Sequence, residues 1–261
     1  MTAIGVFDSG IGGLTVLRAL KQVLPEEPFI YLGDTARLPY GSKSPRTIRN
    51  YLHQNVAFLE GLGVKAVVVA CNTASSVLDG EKVSGIPLYG VIEPGARAAT
   101  AACPGGVVGV LATRATVASD AYRQALMRLN PEVQVVSQAC PLLVPLVEEG
   151  WADDPVTEMV LQRYLAEPLH ANVAALILGC THYPVLKHVV QRLVGPHIQV
   201  IDSAQTTAQV VRDDLAAGRI PKSTNSGGIK VFTTDMSPAF RDLGARILAP
   251  YPIESWSLAD L

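Results

Sequence analysis

No stretch of this sequence approaches the roughly 18 uninterrupted apolar residues that a membrane-spanning helix needs. The first residues, MTAIGVFDSG, lack the basic segment and apolar core of a secretory signal. Lysine and arginine form no block and the formal net charge is only -2, so nothing predicts binding to nucleic acid or to an anionic membrane surface. We therefore expect a cytoplasmic protein whose partner is a small molecule.

Cysteine is also scarce, with four residues at positions 71, 103, 140 and 180. So few cysteines in a chain of 261 residues predict free thiols rather than a disulfide framework. Paired C-x-x-C spacing is absent as well, which argues against a structural zinc site, and we expect no bound metal. A buried cysteine is usually a small apolar side chain. Cys103, in AACPGG, and Cys140, before a proline, fit that role.

Hydrophobic residues make up 49% of the chain, enough for one large domain or two ordinary ones. Short apolar runs alternate with amphipathic segments, a pattern typical of parallel sheets with helical crossovers. The predicted strands are IGVF, FIYLG, AVVVA, LYGVI, VVGVLA, VQVVS, AALILG, IQVID and IKVFT. The predicted helices are LTVLRALKQVL, PRTIRNYLHQNVAFLEGL, TVASDAYRQALMRL, VTEMVLQRYLAEPL, PVLKHVVQRLV and TTAQVVRDDLAAG, with Pro45 and Pro184 placed in first helical turns.

The two halves of the chain resemble each other in order. GVFDS matches GVLAT, FIYLG matches VQVVS, VVVAC matches LILGC, and GVIE matches QVID. This repeat predicts an α/β protein of two similar open parallel-sheet domains related by pseudo-symmetry, with an active-site cleft between them. We expect residues 1–95 plus 204–261 to form the first domain and residues 96–203 the second. A C-terminal helix, strand and helix would return to complete the first domain.

Ligands of open parallel sheets bind beyond the carboxyl ends of the strands. The residues predicted at those ends are Asp8, Ser9, Cys71, Asn72, Thr73, Thr113, Cys180, Thr181 and His182. If the two units face each other, Cys71 and Cys180 flank one cleft from opposite sides. Taking a proton from one face of an α-carbon and returning one to the other face inverts that carbon, and it requires two such acid/base groups.

Thiols suit this chemistry because a free thiol has a pKa of about 8.5, which a helix N-terminus or a cation lowers. One cysteine can therefore be a thiolate while the other stays protonated. Cys71 and Cys180 each precede a predicted helix, whose N-terminal amides are suited to stabilise a thiolate and to bind a carboxylate. The alternative is that both are inert residues at strand ends.

The segment VFDSGIGGLTV looks like a nucleotide-binding loop, but Thr15 stands where a third glycine belongs. A carboxylate at Asp8, against this turn, would repel a phosphate and would instead attract an ammonium or assist a neighbouring thiol. Ser9 and the turn amides are suited to a carboxylate. The combination favours a zwitterionic ligand over a dinucleotide, although a capped strand-to-helix turn also explains the glycines.

Three further features are weaker on their own. His182 lies two residues beyond Cys180, within reach of its thiolate. Glu148, in PLLVPLVEEG, follows an apolar run and is a candidate to orient His182, although such glutamates are more often solvated. The loop LPYGSKS offers Tyr40 and the backbone amides near Gly41 and Ser42 to a polar ligand.

Together FDSGIGGLTV, GDTARLPYGSKS, VVACNTAS, VPLVEEG and LGCTHYP resemble the glutamate racemases, a cofactor-independent group within the aspartate/glutamate racemase superfamily. The resemblance covers nearly the whole chain. It implies interconversion of L- and D-glutamate by two cysteines, with no cofactor, to supply D-glutamate for peptidoglycan. It also implies a homodimer, because members of the family are commonly dimeric.

Carried over by motif, the resemblance makes Cys71 the base for D-glutamate and Cys180 the base for L-glutamate. Asp8 would assist Cys71, while His182 with Glu148 would assist Cys180. The implied substrate contacts are Asp8, Ser9, Tyr40, Gly41, Ser42, Asn72, Thr73, Thr113, Thr181 and His182.

Four other functions remain open from the residues. A racemase for aspartate or another small dicarboxylate would use the same thiols. A pyridoxal phosphate racemase is disfavoured, since none of the seven lysines lies in an evident cofactor site. A zinc-binding, non-enzymatic protein would use Cys71, Cys180 and His182 as ligands. A two-lobed amino-acid-binding regulator fits the same fold, because fold does not determine function.

Overall fold

The computed structural model describes residues 3–78, 84–224 and 227–261, and within them the chain forms two parallel β-sheets flanked by helices. The six-stranded first sheet has the order β10-β9-β2-β1-β3-β4. Its strands are β1 Ile4–Asp8, β2 Phe29–Gly33, β3 Ala66–Val69, β4 Leu88–Gly90, β9 Ile229–Thr233 and β10 Ser255–Leu258.

The four-stranded second sheet has the order β6-β5-β7-β8. Its strands are β5 Val107–Ala112, β6 Gln134–Ala139, β7 Val173–Gly179 and β8 Gln199–Asp202. This order repeats β2-β1-β3-β4 of the first sheet, strand for strand. All nine predicted strands are present, and the expected pair of similar parallel α/β domains is confirmed. The division at residues 95 and 203 stays a prediction.

Helices connect the strands and cover both faces of each sheet. The α-helices in the described ranges are α1 Leu14–Val23, α2 Pro45–Gly61, α3 Asn72–Ser75, α4 Ile92–Ala102, α5 Arg114–Ala118, α6 Ala121–Leu129, α7 Leu143–Glu148, α8 Pro155–His170, α9 Lys187–Val194, α10 Ser203–Ala216 and α11 Pro238–Leu248. Short 3-10 helices occupy Thr35–Arg37, Tyr40–Ser42 and Tyr183–Leu186.

The ends of the predicted helices follow local chemistry. Pro45 opens α2 as expected, and the hydroxyl of Ser44 accepts a hydrogen bond from the Thr47 amide. Pro184 lies in a 3-10 turn that precedes α9 rather than in α9 itself. The predicted single helix TVASDAYRQALMRL is wrong, because Asp120 adopts a left-handed conformation (φ 58°) and separates α5 from α6.

Several elements were not predicted. The helix α4 carries Pro94 and Gly95 in its first turn. In a sequence these two residues indicate the end of a helix. Near the start of a helix, however, a proline costs no hydrogen bond. The strand β10 follows the last helix, so the C-terminal segment contributes two strands to the first sheet rather than one. Its sequence, SWSL, has little of the apolar content that marks a strand.

Alternation along the central strands builds two apolar layers. Val6 and Val68 face the layer that contains α1 and α10, while Phe7 and Val67 face the layer that contains α2. The second sheet is likewise covered on both faces by separate clusters. Parallel sheets with both faces buried carry their sites at the strand ends, since no face is open. In the described residues, no helix is both long enough and apolar enough to cross a membrane.

At the amino ends of the first sheet, a buried ion pair attaches the returning C-terminal segment. The ammonium of Lys65 contacts the carboxylate of Glu27, and their side chains are 2% and 6% exposed. Both groups also bind Ser223, through Lys65 Nζ (2.8 Å) and Glu27 Oε2 (2.6 Å). The pair therefore joins the segments before β2 and β3 to the segment before β9.

We expect Lys65→Met to lower the free energy of unfolding by about 3 kcal/mol at pH 7, because the Glu27 carboxylate is left buried without its partner. Urea denaturation measures the difference. The double variant Glu27→Gln with Lys65→Met is expected to recover part of the loss.

The surface pair of Arg192 and Glu158, with side chains 59% and 38% exposed, is the matched control. Arg192→Met is expected to cost less than about 1 kcal/mol. Equal losses in the two single variants would contradict a special role for the buried pair.

Candidate active site

One pocket of about 380 Å³ lies between the two sheets, at the carboxyl ends of their central strands. It is lined by Ser9, Leu38, Pro39, Tyr40, Gly41, Ser42, Cys71, Asn72, Thr73, Thr113, Arg114, Pro141, Val144, Pro145, Glu148, Cys180, Thr181 and His182. Residues that follow β1 and β3 of the first sheet thus meet residues that follow β5 and β7 of the second.

Every residue predicted for the site lines this pocket except Asp8, which is fully buried next to it. The lining residues missed from the sequence are Leu38, Pro39, Arg114, Pro141, Val144 and Pro145. Arg114 had a usable signal, because it directly follows Thr113 at the end of a strand. The apolar residues had none, since a proline or valine in a loop carries no chemistry that marks a ligand site.

Cys71 ends the β3 segment and precedes the single helical turn of α3. Its thiol is 5% exposed and donates to the hydroxyl of Ser9 (3.5 Å). Burial and the neighbouring negative charge of Asp8 raise the pKa of Cys71 to about 12, against the weaker effect of hydrogen bonds from Ser9 and Ala74. The single helical turn after Cys71 offsets neither burial nor the carboxylate, so Cys71 is the cysteine of the pair expected to stay protonated. Cys71 is a neutral thiol at pH 7.

Cys180 has different partners. Its sulfur lies 3.8 Å from Nδ1 of His182, and Nε2 of the same ring lies 3.1 Å from the carboxylate of Glu148. Burial lowers the pKa of His182, but its hydrogen bonds with Cys180 and Glu148 outweigh burial and raise the pKa to about 10. His182 is therefore an imidazolium at neutral pH. The contact predicted between Glu148 and His182 is present.

Asp8 is held by the turn that follows β1 and by the opposite sheet. Its Oδ2 accepts from the amide of Gly10 (2.8 Å), and its Oδ1 accepts from the hydroxyl of Thr181 (3.2 Å). Burial raises the pKa of Asp8, while the positive charge of His182 and these hydrogen bonds lower it. The glycine-rich turn thus encloses a carboxylate, whose negative charge would repel a phosphate.

Hydroxyl groups join the two sheets around the pocket. Thr73, after Cys71, lies 3.0 Å from Thr113 and 3.2 Å from Thr116, both of which follow β5. Thr15 donates to the carbonyl of Thr181 (2.9 Å). A Cβ on Gly41 would lie 3.0 Å from Thr113, so the loop after β2 also packs across the cleft.

The loop after β2 is fixed by a buried carboxylate that was not predicted. Asp34 binds the Tyr40 hydroxyl and accepts from Arg37 (2.8 Å) and Thr234 (3.1 Å). Asn55 donates to the same tyrosine hydroxyl (3.2 Å). The signal for Asp34 was its place directly after β2, because sites in parallel sheets lie beyond the carboxyl ends of the strands.

Two other features of the described residues bear on function. No group of three or more His, Cys, Asp or Glu side chains is arranged to hold a metal ion there. A larger groove of about 620 Å³ is lined by Arg18, Lys187 and Arg246 among others, but neither Cys71 nor Cys180 lines it. The smaller pocket is therefore the candidate site.

Comparisons with known proteins show the family to which the chain belongs. The family model of the Asp/Glu/hydantoin racemases matches residues 4–211. The chain is 47% identical to the glutamate racemase of Geobacter metallireducens over 249 residues, which covers 94% of this chain and 92% of that protein. The chain therefore belongs to the Asp/Glu/hydantoin racemase family, whose members are isomerases.

Solved structures show the same similarity. A glutamate racemase isoform from Bacillus anthracis superposes with a TM-score of 0.93 at 36% identity, covering 100% of this chain and 98% of that one. The glutamate racemase of Francisella tularensis in complex with D-glutamate superposes with a TM-score of 0.91 at 35% identity, covering 99% and 97%.

Gly12 is expected to be essential for the closed cleft. A Cβ there would lie 2.5 Å from both Nδ1 of His182 and Oγ1 of Thr181, which is closer than van der Waals contact allows. We expect Gly12→Ala to force the sheets apart, to lower stability by about 1–3 kcal/mol and to expose the site thiols. Denaturation and the rate of thiol modification by Ellman's reagent measure both effects.

Gly85→Ala is the control, because a Cβ at Gly85 meets nothing within 4 Å. It is expected to change neither stability nor thiol reactivity. Thiols that react no faster in Gly12→Ala than in the parent chain would show that the cleft accommodates the methyl group.

Proposed function

We propose that this chain interconverts L- and D-glutamate by proton transfer at the α-carbon between Cys71 and Cys180. The observation that carries the proposal is the placement of these two thiols at matching strand ends of two facing sheets, on one pocket. Glutamate is favoured as substrate because the relatives at 47% and 36% identity are glutamate racemases, and the Francisella relative was solved with D-glutamate.

The protonation states of the ligand-free site suit the conversion of L-glutamate to D-glutamate. Cys71 is a neutral thiol and can donate a proton. Cys180 lies 3.8 Å from Nδ1 of His182, which is an imidazolium, and acts as the base in this direction. Cys180 takes the α-proton from one face of the substrate, Cys71 gives its proton to the other face, and the charges of the two sulfurs are exchanged.

The reverse reaction starts from the opposite protonation states. Cys71 must then lose its proton, and Asp8, whose pKa is raised by burial, is the neighbouring carboxylate suited to assist. His182 with Glu148 protonates or stabilises Cys180. Each thiol thus has its own assisting group, as the sequence motifs imply.

The remaining polar groups of the pocket provide substrate contacts. We assign Ser9, Tyr40, Gly41, Ser42, Asn72, Thr73, Thr113, Thr181 and His182 to this role. Asp8, which is fully buried next to the pocket, is assigned to the ammonium group of the substrate. We further propose that the product, D-glutamate, supplies peptidoglycan synthesis and that the working form is a homodimer.

The test is an incubation of D-glutamate in deuterated water without added cofactor, following optical rotation and deuterium at the α-carbon. We expect the parent chain to lose rotation and to incorporate deuterium. Cys71→Ala and Cys180→Ala are each expected to reduce racemisation about 10³-fold, because each removes one acid/base group.

Cys103→Ala is the matched control, since Cys103 is also buried but does not line the pocket. It is expected to racemise at the rate of the parent chain. Neither rotation loss nor exchange in the parent chain would refute the proposal. If L-aspartate is turned over faster than L-glutamate, the proposed substrate is wrong and the chain is an aspartate racemase.

A second prediction concerns pH. Burial lowers the pKa of His182, but Cys180 and Glu148 raise it to about 10. The imidazolium is therefore lost as the pH rises through that pKa. Glu148→Gln removes one of these causes and lowers that pKa. We expect the alkaline limb of the kcat/KM profile for L-glutamate to move to lower pH in this variant.

Glu149→Gln is the control, because Glu149 is exposed and does not line the pocket. Its profile is expected to match that of the parent chain. An alkaline limb that stays in place in Glu148→Gln would show that Glu148 does not act through His182.

A further inference from the structure

Tyr122 lies at the start of α6, outside the pocket lining, yet it contacts the neighbours of both thiols. Its side chain is 2% exposed. The ring occupies a slot between two glycines: a Cβ on Gly179 would lie 3.0 Å from it and a Cβ on Gly95 3.4 Å. Gly179 immediately precedes Cys180. The close approach at Gly179 therefore depends on the absence of a side chain there, while Gly95 lies against the other edge of the ring.

The hydroxyl of Tyr122, in a helix of the second domain, forms a hydrogen bond with a residue that follows β3 of the first sheet. It donates to Oδ1 of Asn72 at 2.6 Å, and Asn72 immediately follows Cys71. Burial raises the pKa of Tyr122 well above that of a free phenol, so the hydroxyl stays protonated. A neutral phenol that is held rigidly is a dependable donor.

The other end of the same amide is unsatisfied. Asn72 is 1% exposed and lines the pocket, and its Nδ2 is buried with no hydrogen-bond partner among the described residues. A buried donor without a partner costs about 1–3 kcal/mol, so such a group in a pocket indicates the place of a ligand acceptor. With Oδ1 occupied by Tyr122, the amide presents Nδ2 to that acceptor.

We infer that Tyr122 is a positioning residue, which holds the Asn72 amide so that Nδ2 donates to a carboxylate oxygen of the bound amino acid. The inference rests on the proposed function for the identity of the ligand. It assigns the hydroxyl a role that packing does not explain, because phenylalanine would fill the glycine slot equally well. The same side chain also joins the segments that carry Cys71 and Cys180.

Tyr122→Phe removes only the hydroxyl and keeps the ring in its slot. Since a carboxylate is present in both the ground state and the transition state, we expect a rise in KM for glutamate of about five- to tenfold with kcat changed less than threefold. A double-mutant cycle with Asn72→Ala tests the path. If Tyr122 acts through Asn72, Tyr122→Phe has less than a twofold effect in the Asn72→Ala background.

Tyr89→Phe is the matched control, because it removes a tyrosine hydroxyl bonded to Asp214 (2.7 Å) and lies outside the pocket lining. It is expected to leave KM unchanged. Effects of Tyr122→Phe and Asn72→Ala that simply multiply would overturn the inference, as would an unchanged KM in Tyr122→Phe.

A measurement that does not depend on turnover tests the inference even if one of the variants fails to fold. It also separates this inference from the proposed function. The protein contains eight tyrosines, and labelling them with 13C at the ring Cζ gives each hydroxyl a resonance. The contact predicts that Asn72→Ala moves the Tyr122 resonance and that added D-glutamate moves it in the parent chain. Resonances that move in neither case would refute the positioning role, even if racemisation is observed. A moving resonance with no racemisation would refute the proposed function alone.

Discussion

The hydrogen bond from Thr181 to the carboxylate of Asp8 is the contact on which the closed site depends. It joins a residue at the end of β7 to one at the end of β1, and it lets the Asp8 carboxylate be buried with its oxygens satisfied. With Asp8 buried beside it, Cys71 is held as a thiol. The same contact therefore joins the two sheets and holds, beside Cys71, the carboxylate that helps to raise its pKa.

The two thiols occupy equivalent places in the repeat but have unlike partners. Asp8 ends β1, whereas the equivalent last residue of β5 is Ala112, which carries no charge. The neighbour of Cys180 is instead the imidazolium of His182, two residues further along the chain. A symmetric fold thus holds an asymmetric pair, and asymmetry is what a transfer from one face to the other requires, since one group must be basic while the other is acidic.

The sequence predicted the fold well because parallel strands are continuous apolar runs, such as AVVV and VAALILG, that read clearly in a single chain. It predicted the polar residues of the pocket because strand ends and short motifs locate them. It did not predict α4, where Pro94 mimics a helix stop. It also missed Tyr122, because its role arises from a contact with Asn72, fifty residues distant in the chain.

The return of the chain to its first sheet has a consequence for biosynthesis. Strand β2 is flanked on one side by β9, which the ribosome produces only after the whole second sheet. Until then β2 presents an open edge of unpaired amides and carbonyls, the kind of edge to which other chains add. The second sheet is formed by the consecutive strands β5 to β8, so all its strands are synthesised before the first sheet is complete. The first sheet, whose strands β1 to β4 precede the second sheet in the chain, is therefore the last to be completed. The nascent chain is most exposed to misassociation during that interval.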